Sequence, residues 1–343
     1  MDADDNRRAV RRCRVRCLWM KLVMTLRTRD QADVVGALVD YHLHAGVDFV
    51  VATDHRSGDG TVEILREYER AGVLHLTEEH GVEVRGSEWR TRMARMAATE
   101  FGADWIFSCD GDEFWWPRGP SLKESLEATP SDYGVVRALV RHFVPVARTE
   151  GEFWERMTLR YVPEAAVNSP TSPFRPYVKV AHRADPSVVV HRGNHELHHT
   201  RHRLLPGWYP IEVLHFPIRT AAQARQKYLT WARVFGRDAK GTHVLTARAQ
   251  ERGRAVEHSA GFLASDEVIR RGLRAGVLET DTRLRDTLRD LSSENALQQC
   301  AWEHSLLGDL EAALDARAIR AARRLDQLNR RTRTLESARR IRD

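Results

Sequence analysis

The first residues in this chain whose types and spacing suggest chemistry are the acids at 110–113. Asp110, Asp112 and Glu113 stand between Trp105-Ile106-Phe107 and Phe114-Trp115-Trp116. A short apolar run bounded by polar residues reads as a buried strand. Residues two apart on an extended chain point the same way. Asp110 and Asp112 are therefore expected to aim two carboxylates at one point just past the strand end. Gly111 lets the backbone turn there at low steric cost. Two hard oxygen ligands so placed suit Mg²⁺ or Mn²⁺ carrying a substrate diphosphate, and an open α/β sheet collects its ligands along that edge. A solvated acidic turn is the alternative, and the motifs upstream weigh against it.

Those upstream segments must position the acids. The run from Cys17 to Leu26 predicts a first strand, and Val34, Val35, Leu38, Val39 and His42 fall at helical spacing. Asp48 to Thr53 predicts a second strand ending at Asp54. A turn of Ser57-Gly58-Asp59-Gly60-Thr61 then leads into a helix from Val62 to about Arg70. Val73 to Leu76 predicts a third strand, and Ser87 is expected to cap the helix that precedes the acidic strand. Strands alternating with helices argue an α/β fold with a mainly parallel sheet flanked by helices.

At 343 residues the chain has room for one large domain and an appendage. Hydrophobic content of 42% and charged content of 30% are those of an ordinary globular protein. No apolar run reaches the length of a membrane span, and the arginine-bearing N-terminus lacks the apolar core of a secretory signal. Cys13, Cys17, Cys109 and Cys300 are too scattered for a disulfide framework or a zinc site, so reduced thiols and a cytoplasmic location are expected. The net charge is +6, and the ten arginines from Arg317 onward, set against Asp326, Glu336 and Asp343, contribute +7. The remainder is near −1, so the basicity belongs to the tail, where a solvated helix face is expected rather than a nucleic-acid partner.

Taken in order, Asp30-Gln31-Ala32-Asp33, Tyr41-His42 with Gly46-Val47-Asp48, Asp54, Ser57-Gly58-Asp59-Gly60-Thr61 and Asp110-Gly111-Asp112-Glu113-Phe114 form a set. This set resembles the nucleotide-binding half of family 2-like glycosyltransferases of the GT-A fold. The resemblance covers under a third of the chain closely. It implies a GT-A, Rossmann-like sheet, a nucleotide-sugar donor, Mn²⁺ or Mg²⁺ as cofactor, and inversion at the sugar centre. Asp110 and Asp112 would hold the metal that neutralises the departing diphosphate. Asp54 would hydrogen-bond the base or ribose, a helix-entry cap being its alternative role. Thr25, Arg27 and Asp30 are further candidates for the nucleotide pocket, whereas Arg92 and Arg95 read as a solvated helix face. Gln31 stands where the family usually carries a carboxylate; this departure favours a non-catalytic nucleotide-sugar-binding protein as one alternative.

The same resemblance divides the chain into a basic segment 1–14, a transferase domain 15–262 (15–117 nucleotide-binding, 118–262 acceptor) and a helical C-terminal region 263–343. Strands are expected over Gly134–Val144, Val178–Ala181, Val188–His191 and up to His215, with a short helix over Ser121–Leu126. Trp115 and Trp116 are candidates for stacking on the acceptor, and His191 and His195 lie on the acceptor side. A strand ending in His215 and followed by Arg219 also resembles the family pattern, in which some enzymes use such a histidine as a further metal ligand; a histidine satisfied within the core is the alternative. Glu196, Glu152 and Glu113 are the candidate catalytic carboxylates. Gly193-Asn194-His195-Glu196 also matches a fragment of metallophosphoesterases. That second reading lacks an Asp-x-His on the first strand, and Trp115 occupies the place of its second aspartate. From Asp266 onward a helical pattern is expected throughout, and Leu307, Leu310, Leu314, Leu325 and Leu328 trace an amphipathic seam suited to packing or self-association.

Overall fold

A computed structural model of the chain describes residues 20–147, 150–162, 176–226 and 263–293. The expected segments 1–14, the leucine seam from Leu307 and the basic tail lie outside the described residues, as does the boundary at 262.

The alternation read from the sequence is present. Strands β1 (Leu22–Thr28), β2 (Phe49–His55), β3 (Leu74–Glu79) and β4 (Trp105–Asp110) are separated by helices α1 (Val35–His44), α2 (Thr61–Arg70) and α3 (Gly86–Thr99). The four strands pair in parallel, with β1 between β2 and β4. The near-continuous burial of β1, β2 and β4, complete over Leu22 to Leu26 and Val50 to Ala52, is what a sheet covered on both faces requires, while the edge strand β3 is only partly buried. Ser87 is not the cap of α3; Arg85 holds that position. The Ser87 hydroxyl instead donates to the Val190 carbonyl at 2.6 Å.

The second half adds β5 (Glu113–Pro117), α4 (Leu122–Glu127), β6 (Val135–His142), α5 (Phe153–Arg156), β7 (Leu159–Tyr161) and β8 (Val178–Arg183). It continues with β9 (Val189–Val190), β10 (Leu197–His198) and β11 (Ile211–His215), then α6 (Asp266–Arg274), β12 (Leu278–Thr280) and α7 (Arg283–Ser293). The short helix expected over Ser121–Leu126 is present as α4, and Ser121 stands just before it as its cap, accepting from the Glu124 amide at 3.1 Å. The 8-stranded sheet has the order β3-β2-β1-β4-β8-β6-β11-β5. It is a mixed sheet. Strand β8 runs antiparallel to β4 and β6, β11 is parallel to β6, and β5 closes the edge antiparallel to β11. Two departures stand out from the sequence reading. Glu113–Pro117 forms an edge strand of its own, and the stretch after Asp266 is interrupted by β12, which pairs with β7.

This order decides where chemistry gathers. Since β8 reverses direction between β4 and β6, strands β1, β2, β4, β6 and β11 all end at one edge, and β8 begins there. Thr28, Asp54, Asp110, His142 and His215 are thereby collected with Lys179, although the sequence scatters them.

His42 joins the two halves from inside. It is fully buried on α1; its Nδ1–H donates to the Leu38 carbonyl at 2.7 Å, and its Nε2 accepts from the Trp115 amide at 3.1 Å. Burial pushes its pKa down to about 4, against the opposing pull of the Leu38 carbonyl. A histidine whose folded pKa is depressed adds stability above its unfolded pKa of about 6.5 and loses it as pH falls toward the folded value. Unfolding free energy is therefore expected to drop between about pH 6.5 and 4, with His42 contributing up to about 1.4 kcal/mol per pH unit. Urea titrations of wild type and His42→Gln across that range check this, the variant showing the shallower slope.

Candidate active site

Strand register builds the site. Arg27 sits beside Asp110 across β1 and β4, Thr28 beside Asp54 across β1 and β2, and His215 beside both Glu113 and His142. The sheet order turns back on itself at β1 and β4, the switch point where open α/β sheets bind ligands.

The two aspartates of the acidic motif meet different partners. Strand β4 ends at Asp110, and Glu113 already belongs to a strand at the far edge, so the extended geometry assumed from the sequence stops between them. Asp110 is enclosed by cations. Its Oδ1 accepts from Arg27 at 3.2 Å and from Arg90, and its Oδ2 accepts from Lys179 at 3.0 Å. Burial opposes its ionisation, but Arg90, Lys179 and Arg27 together hold the carboxyl well below the usual carboxylate range.

Asp112 faces His215 instead, Oδ1 to Nε2 at 3.6 Å, and with Glu113 these groups bring one ligand atom each within 4.8 Å of one another. The 3.6 Å separation is too long for a hydrogen bond and leaves room for an ion between the two atoms. His215 Nδ1 is oriented by His142 Nδ1 at 3.1 Å, which turns Nε2 toward the acids as an outer partner of a metal ligand does. A set rich in carboxylates suits Mg²⁺ or Mn²⁺, so these residues fit the expected cofactor. Glu113 also bonds Lys179 at 2.8 Å and accepts from the Asp110 amide at 3.2 Å. Burial pushes its pKa up against the pull of Lys179.

Sequence reasoning missed Arg90 and Lys179. Both are almost fully buried, and with Arg27 they balance Asp110, Asp112 and Glu113 in formal charge. Arg90 lies in the first turns of α3, close in sequence to Arg92 and Arg95. Those two are tied elsewhere, Arg92 to Glu79 at 2.7 Å and Arg95 to the Val188 carbonyl at 3.0 Å. Lys179 begins an apolar strand, and nothing local marks it as facing the acids.

The loops after β1 and β2 interlock. Asp54 is buried; its carboxylate accepts from Thr28 Oγ1 at 3.0 Å, Ser57 Oγ at 2.5 Å and the Ser57 amide at 3.0 Å. It organises the turn ahead of α2, whose own cap is Gly60. Asp30, at φ +50°, accepts from the Gly58 amide at 3.0 Å and donates its own amide to Ser57 at 2.8 Å. Thr25 is buried and shares a 2.8 Å hydrogen bond with Ser108. Gln31 does not lie idle: its amide oxygen accepts from buried Arg219 at 2.6 Å, and Arg219 also grips Asp33 at 2.7 and 2.8 Å. Arg219 thus ties the loop after β11 to the first turn through two acceptors, one of which needs no charge. Gly111 lies close under Gln31, and a Cβ there would stand 3.0 Å from Gln31 Cγ, so the Gln31 side chain would have to shift to admit one.

The aromatic candidates separate. Trp115 is fully buried against Phe107, with ring centroids 4.5 Å apart, so it is a core residue and not an acceptor platform. Alternation along β5 puts Trp116 on the other face, where it stacks on Tyr41 at 5.8 Å and lies under the Arg283 guanidinium at 5.3 Å. His195 Nδ1 bonds the Val178 carbonyl at 2.8 Å, and Asn194 is buried with its amide donating to Ser108 and Val180 carbonyls at 3.0 Å each. The Gly-Asn-His-Glu segment therefore builds a turn, not the dinuclear centre of a phosphoesterase. His191 and Glu196 are exposed on the hairpin formed by β9 and β10. Glu152 is exposed at the start of α5, whose Phe153 packs on Phe114 and Phe216, the neighbours of Glu113 and His215. Among the described residues no helix is long and apolar enough to cross a membrane.

No protein-family model and no curated protein matches the chain. Among solved structures, similarity is found to TarS 1–349 of S. aureus in complex with UDP-GlcNAc, at 14% identity and a TM-score of 0.35, covering 68% of this chain and 72% of that one. The mannosyltransferase PcManGT of Pyrobaculum calidifontis, in complex with GDP-Man and Mn²⁺, is similar at 14% identity and a TM-score of 0.34 over 85% of both chains. Glucosyl-3-phosphoglycerate synthase of Mycobacterium tuberculosis, with Mg²⁺ and UDP, is similar at 16% identity and a TM-score of 0.28, covering 38% of this chain and 47% of that one. Identity and superposition this low leave the chemistry to be read from the site residues themselves.

Proposed function

We propose that this protein is a divalent-metal-dependent glycosyltransferase that moves a sugar from a nucleotide-sugar donor to an acceptor. The observation that carries the reading is the meeting of Asp112, Glu113 and His215 at the sheet edge where Arg27, Arg90 and Lys179 also converge. Asp112 and His215 would hold Mn²⁺ or Mg²⁺, with Glu113 adjacent. Such an ion, when bound, neutralises the charge that develops on a departing diphosphate.

The chain's own residues do the rest. Three cations already balance three carboxylates, so the added ion gives the pocket the excess positive charge that a diphosphate needs. Arg27 is the basic side chain of the trio with substantial exposure, 32%, and is the one placed to reach a phosphate oxygen. Asp54 and Asp30 act by holding the β1 and β2 loops in register beneath the nucleoside. Inversion requires a base on the acceptor hydroxyl. Lys179 engages Glu113, while Glu152 is exposed and its side chain does not cap its helix; it is the carboxylate we assign to that role.

Thermal shifts with UDP and GDP, each with and without Mn²⁺, test the donor site. A ligand at 100 times its Kd adds about 2.7 kcal/mol of apparent stability, and the shift is expected only when metal and nucleotide are present together. No turnover of p-nitrophenyl phosphate is expected under the same conditions. Metal-stimulated hydrolysis of that ester would instead favour a phosphoesterase.

A further inference from the structure

We propose that His191, Glu196 and His198 form a Zn²⁺ site on the β9–β10 hairpin, separate from the carboxylate set at the sheet edge. His191 Nδ1 lies 3.7 Å from Glu196 Oε1, and His198 Nε2 lies 3.6 Å from the same oxygen. The two rings approach edge to face at 5.2 Å, and the three ligand atoms lie within 4.8 Å of one another. These separations are too long for hydrogen bonds. They approach the edge of a tetrahedron around zinc, about 3.3 Å for ligand bonds near 2.0–2.1 Å. Among the described residues the three side chains have no hydrogen-bond, ion-pair or ring partner other than one another.

The backbone fixes this arrangement without help from the ligands. Leu197 pairs with Val190 and His198 with Val189, and the His191 amide donates to the Glu196 carbonyl at 3.1 Å. The connecting turn uses Gly193 at φ +79° and Asn194 at φ +57°. Buried Asn194 nails that turn to β4 and β8 through the Ser108 and Val180 carbonyls, and His195 ties it to the Val178 carbonyl. The hairpin thus buries Asn194 against the sheet and ties His195 Nδ1 to β8, while the side chains of His191, Glu196 and His198 are exposed.

Ligand chemistry separates the two metal sites. Two imidazoles and one carboxylate are a zinc set that leaves a fourth position open to water. The carboxylate-rich set at Asp112 favours the harder Mg²⁺ or Mn²⁺. Zinc at the hairpin would clamp β9 to β10 beside His195.

The test uses the full-length, tag-free, chelator-treated protein titrated with Co²⁺ and followed by visible absorption, with Zn²⁺ as competitor. The wild type is expected to show a low-symmetry Co²⁺ band displaced by one equivalent of Zn²⁺. His198→Ala and Glu196→Gln are expected to weaken Zn²⁺ binding by more than about 100-fold, beyond the loss that follows from altering an outer partner. Asp112→Asn is expected to leave the band unchanged. No band in the wild type, a band that survives in His198→Ala, or one lost in Asp112→Asn would each overturn the assignment. Because Asp112→Asn serves as the control, failure of the hairpin site and failure of the transferase reading are read from different variants.

Discussion

Asp112→Asn is expected to abolish metal-dependent diphosphate binding and to lower sugar transfer by at least about 100-fold, more than the loss typical of an outer partner of a metal. The substitution keeps the size of the side chain and removes its charge. His215 then faces a neutral amide, and the pocket loses the carboxylate with which it would hold an ion against 3.6 Å of separation. Asp110→Asn is expected to behave differently. Asp110 contacts Arg27, Arg90 and Lys179, so its neutralisation leaves buried cations short of a partner and lowers stability instead of metal affinity alone. Calorimetric titration of UDP or GDP with and without Mn²⁺, together with melting curves, separates the two outcomes. Asp112→Asn should melt near wild type and show no nucleotide binding either with or without Mn²⁺. Unchanged metal dependence in Asp112→Asn would remove the basis for the assigned ligand set.

The contrast between these neighbouring acids also marks what the sequence made legible. Alternating strands and helices up to Asp110 were readable because each depends on local pattern. The apolar runs of β1, β2 and β4 and the helical spacing of Val35, Leu38 and Val39 need no distant partner. The fate of the chain after Gly111 was not readable. Glu113–Pro117 is an edge strand because β11, contributed by residues 211–215, lies beside it. That pairing brings His215 beside Asp112. It also sends Trp115 into the core, where a sequence reading sees only two adjacent tryptophans.

Lys179 and Arg90 were hidden for the same reason. A lysine at the start of a valine-rich strand gains meaning only once β8 is known to run against β4 and β6, which brings its first residues to the ligand edge. His215 was placed correctly at a strand end, but its bond to His142 follows from β6 and β11 being neighbours. The short strand β12 escaped because Leu278–Thr280 lies between two helices and is defined by pairing with β7 alone. In each case the missing information was strand order, a non-local property.

Lys179→Met is expected to cost about 3–5 kcal/mol, the usual consequence of removing one partner from a buried charge cluster. Lys179 is nearly inaccessible and bonds Asp110 at 3.0 Å and Glu113 at 2.8 Å. Burial alone would lower the pKa of its ammonium, yet Asp110 and Glu113 overcome that and hold it above the usual lysine range. After the substitution Asp110 still has Arg27 and Arg90. Glu113 loses the cation that most favours its ionised form, and burial already pushes its pKa upward. A carboxyl whose folded pKa is raised contributes stability at low pH and loses it as pH rises through the folded value. Lys179→Met should therefore be less unstable near pH 5 than near pH 8, the reverse of the acid sensitivity set by His42. Adding Glu113→Gln should recover much of the loss at pH 8, because the buried charge is then gone. Urea denaturation of wild type, both single variants and the double variant at the two pH values gives the coupling directly. A single-variant loss under about 1 kcal/mol, or a double variant no more stable than Lys179→Met, would show that Glu113 is not held by Lys179 and that the charge balance of the site is set elsewhere.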